Sequence, residues 1–223
     1  MKVPRIIKPN KVLIVGVPRS GTTSLMDGFY EQGYYKVSEP YNPKIWLNIK
    51  HSYPPKQLEE YPTLVVKTIV GQVHDSWKGD WQSFIVELSN HFDNVILLDR
   101  RDNNEHYTSM LNLDYKLYLS RELGKDTHPF KKWREEEIPP MFASGYKAAG
   151  GEDRLLSLKT ELNQLANKLS TDVDYYEDLY GEDKIMADHT IKEWEIDNID
   201  VQKLLKYLDP SKKLKQTSKK STI

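Results

Sequence analysis

Two short segments of the chain group the residue types that hold an anion. Residues 12–23 read VLIVGVPRSGTT. The apolar run Val12 to Val15 predicts a buried strand, and a helical pattern begins at Thr22. Between them lies Gly16-Val17-Pro18-Arg19-Ser20-Gly21. A strand that opens through glycines into a helix aims free backbone N–H groups and the positive end of the helix dipole at one point. The second segment, residues 100–109, reads RRDNNEHYTS. Asp102 or Asn103 is placed to cap a helix there. Arg101 then stands at the carboxyl end of a strand, with Ser109 about two turns into the helix. Open α/β sheets bind ligands at that end, and an arginine converging with a hydroxyl there would hold a phosphate through charge-assisted hydrogen bonds. The alternative is that Arg100 and Arg101 are solvated surface arginines.

The first loop has nearly the spacing G-x-x-x-x-G-K-[ST] that cradles nucleotide phosphates. Thr22 stands where that pattern needs its lysine, and the cation sits earlier, at Arg19. Such a loop suits a phosphate-like group but lacks the side chain that reaches the β- and γ-phosphates of ATP. Lys67 is a further candidate, because it interrupts the apolar run TLVVKTIV. A lysine there either points into the same cleft or snorkels at the sheet edge.

The elements that must position these residues follow from periodicity. The runs at 12–17, 63–70 and 94–100 are apolar without alternation, as strands buried on both faces are. Helical spacing fills Thr22–Gln32, Trp81–His91 and Asn103–Leu123. This alternation predicts an α/β fold, a doubly wound parallel sheet flanked by helices, as one domain over residues 1–223. Gly124–Gly151 is charged and proline-interrupted, and reads as a surface excursion or lid that Trp133, Ile138, Met141 and Phe142 would dock. Glu152–Leu169 is amphipathic, Val173–Tyr176 a short strand, and a helix around Val201–Leu208 precedes a basic tail at 211–223. That tail is either a solvated end or a cover over a nucleotide.

GVPRSGTT at 16–23 resembles the 5′-phosphosulfate loop of the sulfotransferases, and is especially similar to that of the tyrosylprotein and carbohydrate sulfotransferases. Arg101-Asp102-x-x-Glu105-x-x-x-Ser109 resembles the family's 3′-phosphate motif, and Tyr176-Glu177-Asp178-Leu179 its Y-E-D-L segment. The resemblance implies a P-loop-like fold and the donor 3′-phosphoadenosine 5′-phosphosulfate, with 3′,5′-adenosine bisphosphate as product. Pro18, Arg19, Ser20, Gly21, Thr22 and Thr23 would hold the 5′-phosphosulfate, Arg101 and Ser109 the 3′-phosphate, and Tyr176 would lie by the adenine. It also implies that Glu39 is the base that takes the acceptor's proton, with Pro40 biasing it toward extended backbone. Lys67 would contact the sulfuryl group or orient the acceptor. His74, after the second strand, is the rival base. His106 is expected to face away or toward solvent, and His51, His91, His128 and His189 to be structural or exposed.

The expected reaction is therefore sulfuryl transfer to a hydroxyl, with an amine as the lesser alternative. Glycan, tyrosine and small-molecule acceptors all stay open, and the aromatic residues of 107–146 either line an acceptor cleft or pack. The competing readings are a P-loop-type kinase or NTPase, with Asp99 as its Mg²⁺ carboxylate, and a nucleotide-binding protein without catalysis. A sulfuryl group carries less charge than a γ-phosphoryl group, so no metal is expected, and no cluster has metal-ligand spacing. Charges nearly balance, with 32 basic and 33 acidic residues, which argues against nucleic acid or an anionic membrane as partner. With no cysteine the chain has no disulfide or thiolate chemistry. No run reaches the about 18 apolar residues of a membrane span, and the N-terminal segment lacks a signal-peptide core. A cytoplasmic location is expected, and nothing in the sequence sets the oligomeric state.

Overall fold

The computed structural model describes residues 10–40, 60–71, 80–123, 138–181, 184–197 and 199–208. Its strands are β1 (Asn10–Gly16), β2 (Tyr35–Ser38), β3 (Thr63–Ile69), β4 (Asn94–Asp99) and β5 (Val173–Tyr175). The helices are α1 (Thr22–Tyr30), α2 (Trp81–Ser89), α3 (Asn103–Leu123), α4 (Pro140–Ala148), α5 (Gly151–Leu169), α6 (Tyr176–Tyr180), α7 (Lys184–Glu193) and α8 (Val201–Leu208). The strands form one all-parallel sheet in the order β2-β3-β1-β4-β5.

Successive residues of β1 supply opposite faces of the sheet, as the two-residue repeat of a strand requires. Val12 and Ile14 join Leu25, Met26 and Phe29 of α1, with Leu179, Ile191 and Leu204 behind them. Leu13 and Val15 join Phe84 and Ile85 of α2, Met110 of α3, and Leu155, Leu162 and Leu165 of α5. Helices thus cover both faces, and the alternation of strands and helices holds as expected. Asp80 caps α2 by accepting the Ser83 N–H at 2.7 Å, and Asp102 rather than Asn103 caps α3, accepting from Asn104 and Glu105 at 2.9 Å.

Two sequence boundaries shift. Tyr176 opens α6 instead of closing β5, because the helix begins where β5 loses its partner: the last pair is Asp99 with Tyr175. The segment expected as an excursion contains α4, which starts on Pro140 at its first turn. Ile138 is buried with Leu111, Tyr115 and Leu119, and Phe142 packs on that cluster, while Met141 is 85% exposed. Residues 124–137, Trp133 among them, and the basic tail lie outside the described residues.

The register aligns the carboxyl ends of the strands. Gly16 pairs with Ile69 and Leu98, and Ser38 with Lys67. After β1 the chain enters α1 on one face; after β4 it enters α3 on the other. Adjacent strands whose connections leave in opposite directions open a crevice at their carboxyl ends.

The α2–α5 packing gives a direct test. Leu162 is fully buried, so Leu162→Ala is expected to lower stability by about 2–5 kcal/mol in chemical denaturation. A loss below about 1 kcal/mol would show that the α5 face is not core.

Candidate functional site

The loop after β1 is wound tightly. A Cβ on Gly16 would meet the Leu98 carbonyl oxygen at 2.8 Å and Thr22 Cγ2 at 2.5 Å. Arg19 and Gly21 both have left-handed backbone, with φ of 71° and 94°. For Arg19 that conformation costs about 1–2 kcal/mol, and for Gly21 it is free. No side chain caps α1. Ser20 is fully buried and its Oγ has no hydrogen-bond partner. An uncapped helix N-terminus beside an orphaned buried hydroxyl is what remains when a loop's donors are meant for a ligand.

Behind the loop, the other two sequence segments meet it. Tyr180 Oη donates to the Gly21 carbonyl at 2.8 Å, and the Tyr176 ring lies against Gly21, so a Cβ there would sit 2.8 Å from it. Glu177 accepts the N–H groups of Arg101 at 2.9 Å and Asp102 at 3.4 Å. Arg19 Nε donates to Ser109 Oγ at 3.1 Å, joining the first loop to the third helix. Burial of the Arg19 head group, followed by the charge of Arg100, lowers its pKa, although the residue keeps an exposed side.

Arg101 is engaged elsewhere. Its guanidinium forms a two-pronged pair with Asp178, at 2.5 and 2.6 Å, and lies over the Tyr175 ring. That pair is the first cause of its raised pKa. Arg100 is the more enclosed arginine, with a side chain only 12% exposed, and its guanidinium lies 4.1 Å from the centre of the Tyr176 ring. Tyr180 stacks on Tyr176 at 4.3 Å. Both faces of Tyr176 are thus covered, so an adenine beside it would meet its edge or its hydroxyl, not a bare face.

Glu39 and Lys67 form the site's other half. Lys67 is 4% exposed; its Nζ lies 2.5 Å from Glu39 Oε1 and donates to Thr23 Oγ1 at 3.0 Å. The side chain of a lysine in a buried strand therefore ends on a carboxylate and on the first turn of α1. The Glu39 N–H also donates to the Lys67 carbonyl, at 2.7 Å. Glu39 is not extended, as Pro40 suggested: its φ is 49°. The sheet bond to Lys67 and the ion pair to the same residue over-determine that turn and outweigh the proline's bias. His74 lies outside the described residues.

His106 reverses its expectation. It is fully buried, and Nε2 lies 2.7 Å from the Pro18 carbonyl. Burial, reinforced by Lys159 and Arg100, depresses its pKa to about 4. The ring is therefore neutral at pH 7, and the nitrogen facing a carbonyl must carry the proton. Beneath it, burial raises the pKa of Asp99, which is offset by Lys159 at 3.4 Å. Lys159 Nζ also donates to the Arg100 carbonyl. The helical spacing of Leu155, Leu158 and Leu162 puts Lys159 inside the apolar stripe of α5, a signal open to the sequence reading. His106 carried no such signal, because one polar residue on a mixed helix face is unremarkable. Among the described residues no group of histidine and carboxylates has the arrangement of a metal site, and no described helix is long and apolar enough to cross a membrane.

No family model, curated protein or solved structure matches the chain. The site is accordingly read from its own geometry.

His106 offers a test of the loop's support. His106→Phe leaves the Pro18 carbonyl unpaired and is expected to cost about 1–2 kcal/mol at pH 7.5. The pH profile separates this from general packing loss. Between the unfolded value of 6.5 and about 4, the unfolded chain binds a proton at His106 that the folded chain refuses. Its contribution is complete above pH 6.5 and is lost as the pH falls through that window. Denaturation of the variant should show a shallower loss between pH 6.5 and 4.5; an unchanged slope would count against a neutral, donating His106.

Proposed function

We propose that the chain is a sulfotransferase with a P-loop-like fold that moves a sulfuryl group from 3′-phosphoadenosine 5′-phosphosulfate to a hydroxyl acceptor. The observation that carries this reading is a shared cation: Lys67 touches both Glu39 and Thr23. A carboxylate able to take a proton thereby stands beside an uncapped helix N-terminus able to take an anion.

The residues fit such a donor at its phosphosulfate end. Buried Ser20 Oγ without a partner, the glycine at 21 and the open first turn of α1 form a cradle of donors. Pro18 to Thr23 hold the 5′-phosphosulfate, and Ser109 with an arginine of the Arg100-Arg101 pair holds the 3′-phosphate. The donor supplies the sulfuryl group: a bond forms from the acceptor oxygen to sulfur as the sulfur–phosphate oxygen bond breaks. Glu39 receives the acceptor's proton. Lys67 orients Glu39, and Arg19 with the helix N-terminus stabilises charge on the departing phosphate oxygen. Much of the rate enhancement comes from this positioning. The glycan, tyrosine or small molecule that accepts the group is selected by surfaces beyond this cradle.

The kinase reading is weaker. Besides the missing loop lysine, its carboxylate would be Asp99, which is 4% exposed and paired with Lys159.

Calorimetry decides between donors: 3′,5′-adenosine bisphosphate is expected to bind at least about tenfold more tightly than ATP with Mg²⁺, about 1.4 kcal/mol. Tighter ATP binding would overturn the proposal. The base is tested separately. Glu39→Gln is expected to keep bisphosphate affinity and to lower transfer to a hydroxyl acceptor by about 10²-fold or more. Unimpaired transfer would remove Glu39 from the role and turn attention to His74.

A further inference from the structure

We infer that Arg100, rather than Arg101, is the guanidinium that closes with Ser109 on a phosphate monoester of the ligand, beside Arg19 at its phosphosulfate, and that Arg101 is a positioning residue locked to Asp178. The inference rests on the nucleotide-donor reading for which ligand this is, but not for which side chains meet it.

The two neighbouring arginines have opposite surroundings. Each terminal nitrogen of Arg101 donates to the carboxylate of Asp178, and its side chain is 54% exposed. Its backbone N–H is spent on Glu177. These bonds tie the turn after β4 to the first turn of α6, which carries Tyr176. Arg101 therefore sets where Tyr176 stands.

Arg100 is enclosed and lacks a comparable partner. Among the described residues its one carboxylate contact is Glu105 at 3.8 Å, and that glutamate is 68% exposed. Its Nε is buried with no hydrogen-bond partner. With Tyr180 stacked on Tyr176, Arg100 must cover that ring's remaining face. A guanidinium held over a ring face keeps N–H groups for a second partner, the fork that meets two oxygens of a phosphate.

Arg19 approaches from the other side of the crevice. It is bonded to Ser109, and no carboxylate among the described residues pairs with it. Arg100 is close enough to disfavour its charge. Holding like charges together at a partly enclosed site is unfavourable unless an anion joins them. A phosphate monoester beside a phosphosulfate supplies the negative charge that such a pair needs.

The test compares Arg100→Gln, Arg100→Lys and Arg101→Gln by calorimetry with 3′,5′-adenosine bisphosphate, and by thermal melting without ligand. Arg100→Gln is expected to weaken binding by about tenfold or more, since it removes charge-assisted bonds. Arg100→Lys should restore only part, because it keeps the charge and loses the fork. Arg101→Gln should lower the melting temperature more than either, and weaken binding less than Arg100→Gln. Equal affinity of wild type and both Arg100 variants, or a larger binding loss at Arg101, would overturn the assignment. If the wild type does not bind the bisphosphate, the donor reading falls, and the arginine assignment is read with inorganic phosphate as the probe. Phosphate binding by wild type that Arg100→Gln removes would sustain it; equal binding, or none by wild type, would end it.

Discussion

The carboxyl end of β1 is the constraint on which the site depends. There the strand lies between β3 and β4, and Gly16 passes so near the Leu98 carbonyl that no side chain fits. The loop must leave through this gap and start α1 on one face, while β4 feeds α3 on the other. Several contacts of the site span the resulting crevice. Arg19 reaches across it to Ser109, His106 holds the Pro18 carbonyl from α3, and Tyr180 holds the Gly21 carbonyl from α6. The loop's conformation is thus imposed from two helices, α3 and α6, which explains how a non-glycine residue, Arg19, is kept in left-handed backbone.

Charge follows the same architecture. The lysines that enter the sheet region each end on a carboxylate: Lys67 on Glu39, Lys159 on Asp99. Removing a partner would leave a buried charge uncompensated, a change that costs several times more than an exposed pair contributes. The two arginines that follow β4 divide differently. Arg101, nearer to solvent, has the ideal carboxylate partner, while the enclosed Arg100 has only a distant one. Internal pairing satisfies the exposed arginine and leaves the enclosed one to the crevice.

Part of this was legible in the residues. Unalternated apolar runs can lie only between two covered faces, so the parallel strands and their helices could be read directly. Lys67 interrupting such a run signalled a polar destination, and the structure provides one in Glu39 and Thr23. The extended backbone expected at Glu39 failed because a local proline preference is small beside a sheet bond and an ion pair to one residue. The burial of His106 is not legible because its hydrogen-bond partner, the Pro18 carbonyl, is remote in sequence, and nothing local distinguishes a buried imidazole from a solvated one. Motif spacing alone singles out Arg101 over Arg100, yet adjacent residues of one type differ chiefly in what the fold places around them.

The sequence by itself determined the strand–loop–helix units and the glycines of the loop, since these depend on local periodicity and backbone freedom. The tertiary structure alone decided which cation faces the crevice, which carboxylate meets Lys67 and which imidazole stays neutral. Those outcomes depend on desolvation and on distances of a few ångströms between segments far apart in the chain, and such quantities exist only once the sheet has brought the segments together.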